Sequence, residues 1–170
     1  MKATLARALA SIPAPAWRPM REEDLAVVAA LEADAHAAPW THGNFRDALA
    51  AGYSAMIGEI GGAIVAYGVM MLAPGEAQVL NLTVAAALRR RGIGRALLRR
   101  FLADALHLGA EQCFLEVRVS NVAAIALYTA EGFVPVARRA GYYPGLGAAA
   151  REDALVLRRP LHGGPSHRNA

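Results

Sequence analysis

The apolar positions change period several times along the chain, and each change marks an element. Leu25, Val28, Ala29, Leu31 and Glu32 share one side at helical spacing after the run Arg21-Glu22-Glu23-Asp24, which predicts a helix from there to about residue 36. Its acids fall in the first turn, where the helix dipole favours negative charge. Pro39 interrupts the pattern, Thr41 offers a cap, and Phe45 and Leu49 at i, i+4 spacing predict a second helix through residue 50. A short strand over 17–20 precedes these helices. Strands over 54–60 and 63–72 follow them, joined at Gly61-Gly62 as a hairpin. Pro74-Gly75 turns the chain into a strand over 78–84. Beyond a basic loop, Leu97, Leu98, Phe101, Leu102 and Ala105 form the apolar side of a helix over 95–107 that Gly109 stops. A strand over 111–119, a helix over 121–131 ended by Gly132, and strands over 133–138 and 153–157 complete the order. The glycine-rich stretch 141–150, with its two tyrosines, reads as an excursion between the last two strands.

This order predicts an α/β domain, a single mixed, mostly antiparallel central sheet flanked by helices, over residues 17–159. Residues 1–16 are expected to be a flexible extension and 160–170 a flexible tail. The chain has 170 residues, 55% of them hydrophobic, enough for one real core. Its formal charge of +4 is carried by arginine clusters at 89–91, 99–100, 138–139 and 158–159. Such clusters suit an anionic cofactor, an acidic partner or a ribosomal setting. No aromatic-interleaved basic stretch suggests an RNA platform, so no direct nucleic-acid role is assigned. The lone Cys113 permits no intramolecular disulfide and is expected to be a buried, inert thiol in a cytoplasmic protein. The five histidines have no zinc-type spacing, so no metal is expected. Arg7 interrupts the early apolar residues, which makes a signal peptide too short, and no run of about 18 apolar residues suggests a membrane span.

The candidate chemistry starts at Arg89-Arg90-Arg91-Gly92-Ile93-Gly94, between a strand and a helix. Unpaired N–H groups at a helix start attract anions, and glycines let a phosphate approach the main chain. A Walker loop is absent, and Leu97 is too large for a dinucleotide fingerprint. Downstream, Glu116 shares a strand face with Phe114 and Arg118. Asn121 and Tyr128 are close to two helical turns apart, which predicts one face carrying a polar anchor and a phenol ~10 Å apart along a cofactor arm. Amine acetylation needs a proton acceptor and a donor to the leaving thiolate, and Glu and Tyr supply these. Each residue also has a plain structural reading: Glu116 paired with Arg118, Asn121 as a helix cap, Tyr128 as a core ring.

The Arg-x-x-Gly-x-Gly loop resembles the acetyl-CoA pyrophosphate loop of the GCN5-related N-acetyltransferases. Leu115-Glu116-Val117-Arg118-Val119-Ser120-Asn121, Ala123-Ala124-Ile125-Ala126-Leu127-Tyr128 and Gly132-Phe133 resemble the bacterial branch that acetylates the N-terminal alanine of a small-subunit ribosomal protein. Tyr142-Tyr143-Pro144, Arg151-Glu152-Asp153-Ala154 and Ala35-His36-Ala37-Ala38-Pro39-Trp40 extend the likeness over about 17–158. The resemblance implies that fold, with acetyl-CoA as co-substrate. It implies Glu116 as proton acceptor and Tyr128 as proton donor. Leu82, Thr83, Val84, Arg89, Arg90, Arg91, Gly92, Ile93, Gly94 and Arg95 would bind the cofactor, Asn121 its pantetheine arm, and Tyr142 and Tyr143 the peptide. The implied partner is the N-terminus of a ribosomal or other protein, which fits ribosome association. Where the family often has Asp-Pro after Val84, this chain has Ala85-Ala86, which loosens the expected turn, and the Gly/Ala-rich 145–150 departs from the substrate-side pattern. A small-molecule amine, a lysine, or non-catalytic acyl-CoA binding stay open as alternatives.

Overall fold

Among the described residues, seven strands form one sheet in the order β1-β2-β3-β4-β5-β7-β6. The computed structural model describes residues 12–145 and 149–162. In chain order the elements are β1 (Ala16–Pro19), α1 (Leu25–Ala35), α2 (His42–Ala50), β2 (Ser54–Ile60), β3 (Ala63–Ala73), β4 (Glu76–Val84), α3 (Ile93–His107), β5 (Gln112–Arg118), α4 (Val122–Ala130), β6 (Val134–Tyr143) and β7 (Glu152–Pro160). Only β4 and β5 pair in parallel; the other neighbours are antiparallel. The α3 crossover supplies that parallel connection. The expected α/β architecture is therefore the observed one.

Strand alternation gives the sheet two buried faces. On one, Leu25 and Val28 of α1 and Phe45 of α2 pack on Ile57, Tyr67 and Val69. On the other, Leu97, Leu98 and Phe101 of α3 and Tyr128 of α4 pack with Met70, Val79 and Leu115. The α3 packing depends on Gly68 in β3. A Cβ there would lie 2.6 Å from Phe101 Cε2 and 3.0 Å from the Asn81 carbonyl oxygen. The missing side chain lets the Phe101 ring lie against the strand.

A bulge in β4 sets up the site. Val69 pairs with Asn81 and Met70 with Val79, so Leu80 is the extra residue. Ala77 and Val79 face the α3–α4 side before the bulge, whereas Asn81 and Thr83 beyond it reach the α1 side. Ladder pairing between β4 and β5 ends at Val79 and Leu115. Past that point the two strands part.

Most element ends shift by one or two residues from those expected, and three of the differences bear on the site or the packed body. Helix α3 starts at Ile93, so Gly94 lies in its first turn. Strand β6 continues to Tyr143 because β7 offers it ladder partners, Arg139 opposite Ala154 and Tyr143 opposite Glu152. The irregular step near Gly141 is held by its N–H donating to Asp153 Oδ1 at 2.8 Å. Both tyrosines therefore stand on a strand rather than in the excursion. At the far end, Leu161 is buried and its N–H donates to the Glu111 carbonyl at 2.7 Å, so the packed body passes the expected limit at 159. The expected extension over 1–11, the tail over 163–170 and residues 146–148 of the excursion lie outside the described residues.

Candidate active site

A cavity of about 720 Å³ runs along the end of β4, beyond the point where its pairing with β5 stops. Leu82, Thr83 and Val84 of β4 line one wall. Arg89, Arg90 and Gly92 of the following loop and Ile93, Gly94 and Arg95 of α3 continue it. Asn121, Ala124 and Leu127 close it from the α4 side, and Ala35 and His36 reach it from the end of α1. Of the residues expected at the cofactor, Arg91 alone is not on this wall.

The loop reaches its shape without Asp-Pro. The Ala85 N–H donates to the Val65 carbonyl at 2.8 Å and the Leu88 N–H to the Ala85 carbonyl at 2.9 Å, closing a short 3-10 turn over Ala86–Leu88. Arg89 Nε then donates to the Val84 carbonyl at 3.1 Å. Gly92 is the N-cap of α3 at φ +79°, a left-handed conformation that favours glycine. It brings no side-chain cap, so the first-turn N–H groups of α3 remain available to an anion. A Cβ on Gly94 would lie 3.5 Å from both Leu82 Cδ2 and Val84 Cγ2, ordinary contact distances.

Glu116 stands apart from this wall, on the face that α1 and α2 cover, because its neighbours Leu115 and Val117 point into the α3–α4 core. Its Oε1 is 2.9 Å from Arg139 Nε, so its ion-pair partner is Arg139. Arg118 pairs instead with Glu152 at 3.1 Å. The Tyr142 hydroxyl hydrogen-bonds to Glu116, the main cause holding that phenol above its ordinary value. Burial, with the Glu116 charge adding to it, pushes Tyr143 up to about 12. The two rings meet edge to face at 5.1 Å, and the Arg118 guanidinium lies 4.3 Å over Tyr143. Glu116, Tyr142 and Tyr143 thus form one cluster.

Asn121 and Tyr128 do not share the expected face. Asn121 caps α4 at φ −81°, ψ 68°, outside the helical conformation, so a phase counted from it does not carry along the helix. Its Oδ1 accepts the Ala124 N–H at 3.2 Å while the residue lines the cavity. Tyr128 turns inward, 8% exposed, with its ring 5.9 Å from that of Phe133. Burial pushes its phenol up to about 12, with a smaller contribution from Tyr143, so it keeps its proton at neutral pH.

A polar network beside the cavity was not foreseen. Glu32, 2% exposed, accepts the Trp40 N–H at 3.0 Å, Asn81 Nδ2 at 3.1 Å and the Tyr67 hydroxyl. Burial and that hydrogen bond to Glu32 raise the Tyr67 phenol well above its ordinary range. His36 Nε2 lies 2.8 Å from Thr83 Oγ1 and 3.6 Å from Glu32 Oε2. The available signal was an acid on the apolar stripe of α1 with a histidine four residues on. Among the described residues there is no group of three His, Cys, Asp or Glu able to hold a metal, and no helix long and apolar enough to cross a membrane.

Comparison with known proteins places this geometry. The acetyltransferase (GNAT) family model matches residues 17–133. The [ribosomal protein bS18]-alanine N-acetyltransferase of Escherichia coli K12 is 34% identical over 138 residues, 81% of this chain and 92% of that protein. The N-alpha-acetyltransferase RimI of Mycobacterium tuberculosis is 40% identical over 126 residues, 71% of this chain and 75% of that one. The crystal structure of the ribosomal-protein-S18-alanine N-acetyltransferase from Escherichia coli superposes with a TM-score of 0.81 at 30% identity, covering 91% of this chain and 99% of that chain. With a parted sheet, a glycine-capped helix start and homology over most of both chains, this protein belongs to the GNAT family of N-acetyltransferases and is a homologue of its RimI enzymes.

Proposed function

We propose that this enzyme transfers the acetyl group of acetyl-CoA to the N-terminal α-amine of a protein, alanine preferred, with a small-subunit ribosomal protein in the cytoplasm as its target. The observation that carries this reading is the cavity along the unpaired end of β4, reached from the α3–α4 side by the glycine-capped loop and from the α1 side by His36. The pyrophosphate would rest on the first turn of α3. Asn121 would engage the pantetheine arm through its free amide donors. Beyond Val79, β4 has no β5 partner, so backbone groups on that side are open to the thioester.

The amine nitrogen attacks the thioester carbonyl carbon and the C–S bond breaks. The ammonium proton passes to Glu116, and Tyr128 supplies a proton to the departing thiolate. Tyr128 lies off the cavity wall, so this role needs its hydroxyl to meet the sulfur in the bound complex. An α-amine suits a single glutamate acceptor. Near pH 7.5 roughly a quarter of such amines are already neutral, against about 0.1% of lysines. The E. coli relative's name supports alanine and the ribosomal target.

The test is free-thiol release from acetyl-CoA with a short peptide beginning with Ala, beside the same peptide blocked at its N-terminus and carrying a lysine. Release with the free α-amine alone is the expected result. Release with the blocked peptide, or with neither, overturns the N-terminal reading.

A further inference from the structure

The hydrogen bonds beside the cavity fix the proton positions on His36. Glu32 Oε2 can only accept from Asn81, so the Asn81 amide nitrogen faces it and Asn81 Oδ1 faces Thr83. The Thr83 hydroxyl donates its single proton to Asn81 Oδ1 at 3.0 Å. Its oxygen must therefore accept from His36 Nε2 at 2.8 Å. In the neutral ring this leaves the lone pair on Nδ1, which has no hydrogen-bond partner among the described residues. The imidazole is 41% exposed and lies on the cavity wall.

His36 also lies on a particular side. Helix α1 covers the sheet face to which Glu116 projects, and the cofactor loop belongs to α3 on the opposite face. Glu116 stands on the β5 side of the gap and His36, through Thr83, on the β4 side. Behind the ring is the buried Glu32 carboxylate, whose Oε2 lies 3.6 Å from His36 Nε2. Among the described residues no Lys or Arg forms a salt bridge with that carboxylate, so a cation entering beside His36 is favoured.

The geometry points to His36 as an amine-binding residue: its Nδ1 accepts a hydrogen bond from the substrate amine on the side of the gap opposite Glu116, with Glu32, Asn81 and Thr83 as positioning residues that fix the ring. The assignment rests on the reading that the amine enters from the α1 face. An ammonium presents three N–H groups, and Arg139 already engages one oxygen of Glu116. A second acceptor holds the nitrogen lone pair toward the thioester once the proton is gone.

The test is His36→Gln, which keeps an N–H donor for Thr83 and removes the Nδ1 lone pair. The expected result is a fall of tenfold or more in kcat/KM for the Ala peptide, with the acetyl-CoA KM and the melting temperature unchanged. An unchanged peptide kcat/KM, or an acetyl-CoA KM that moves by the same factor, overturns it. In the wild-type enzyme, nitrogen-15 NMR of the imidazole gives a readout independent of any variant. Ala peptide without acetyl-CoA should move the Nδ1 resonance, and the N-terminally blocked peptide should not. An Nδ1 signal indifferent to both peptides overturns the assignment. If the wild-type enzyme acetylates only a small amine, the peptide reading fails, and the same His36→Gln comparison on that amine still decides the role of His36.

Discussion

At the scale of single residues, proton transfer and cofactor fit can be separated by substitution. Glu116→Gln keeps the shape of the side chain and a hydrogen-bond acceptor for Arg139 but removes the proton acceptor. It should lower kcat by ~10²-fold or more, with the dissociation constant for acetyl-CoA unchanged. Tyr128→Phe keeps the ring against Phe133 and removes only the hydroxyl, and a loss of similar order is expected if that hydroxyl serves the thiolate. Single-turnover rates beside equilibrium acetyl-CoA binding check both, and normal turnover in either variant removes that residue's role. Gly94→Ala probes the cofactor alone. The added methyl meets Leu82 and Val84 at ordinary contact distance and removes a glycine from a helix, so stability should hold or rise by up to ~1 kcal/mol. The same methyl projects from the cavity wall, and the KM for acetyl-CoA should rise roughly tenfold, about 1.4 kcal/mol. Most of the cavity wall was legible in the sequence because a glycine-bearing basic loop before a helix has a local physical meaning. The pairing of Glu116 with Arg139 was not, since it depends on β6 lying beside β7, a contact that no local pattern encodes.

At the scale of elements, the bulge in β4 and the glycine opposite Phe101 act together. The bulge turns Asn81 and Thr83 toward α1 and coincides with the end of β4–β5 pairing. Gly68 lets α3 sit close enough for its first turn to border the resulting gap. Gly68→Ala would place a Cβ 2.6 Å from the Phe101 ring and 3.0 Å from a backbone oxygen of β4, so both the helix and the bulged strand must shift. Overpacking of this kind costs ~1–3 kcal/mol. Thermal unfolding should show the loss as several degrees in Tm, and the acetyl-CoA affinity should fall with it. Retained affinity at a lowered Tm would mean that the α3 start does not depend on this contact. The apolar runs, the Gly61-Gly62 hairpin signal and the Pro74-Gly75 turn were enough to find β2, β3 and β4. The bulge was not readable, because one extra residue in a strand leaves the surrounding apolar run intact. The length of β6 was missed for a related reason: its residues are mostly exposed and lack a clear period, and only pairing with β7 makes them a strand.

At the scale of the whole molecule, the buried hydroxyl and thiol groups tie stability to alkaline pH. Burial pushes Tyr128 up to about 12 and Cys113 up to about 11, and burial together with the Glu116 charge pushes Tyr143 up to about 12. All three values stand above the ordinary ones of 10.0 for tyrosine and 9.0 for cysteine. A raised value means that the folded protein binds the proton more tightly than the unfolded chain. Each group's contribution is therefore complete below its unfolded value and is lost as pH climbs through the folded one. For Cys113 the window runs from 9.0 to about 11, and for the two tyrosines from 10.0 to about 12. Denaturant midpoints should thus be level near neutrality as far as these groups are concerned and fall above pH 9, more steeply above pH 10. Tyr128→Phe should flatten the upper part of that decline, because phenylalanine has no proton to lose from the same buried position. Cys113→Ser should change mainly the lower part. The same burial keeps Cys113 out of the chemistry: a thiol held protonated at neutral pH and closed to solvent should resist alkylating reagents until the fold opens. Alkylation rates that follow the denaturation curve would agree with this. Rapid labelling of the native protein near pH 7.5 would contradict it and reopen the thiol as a nucleophile.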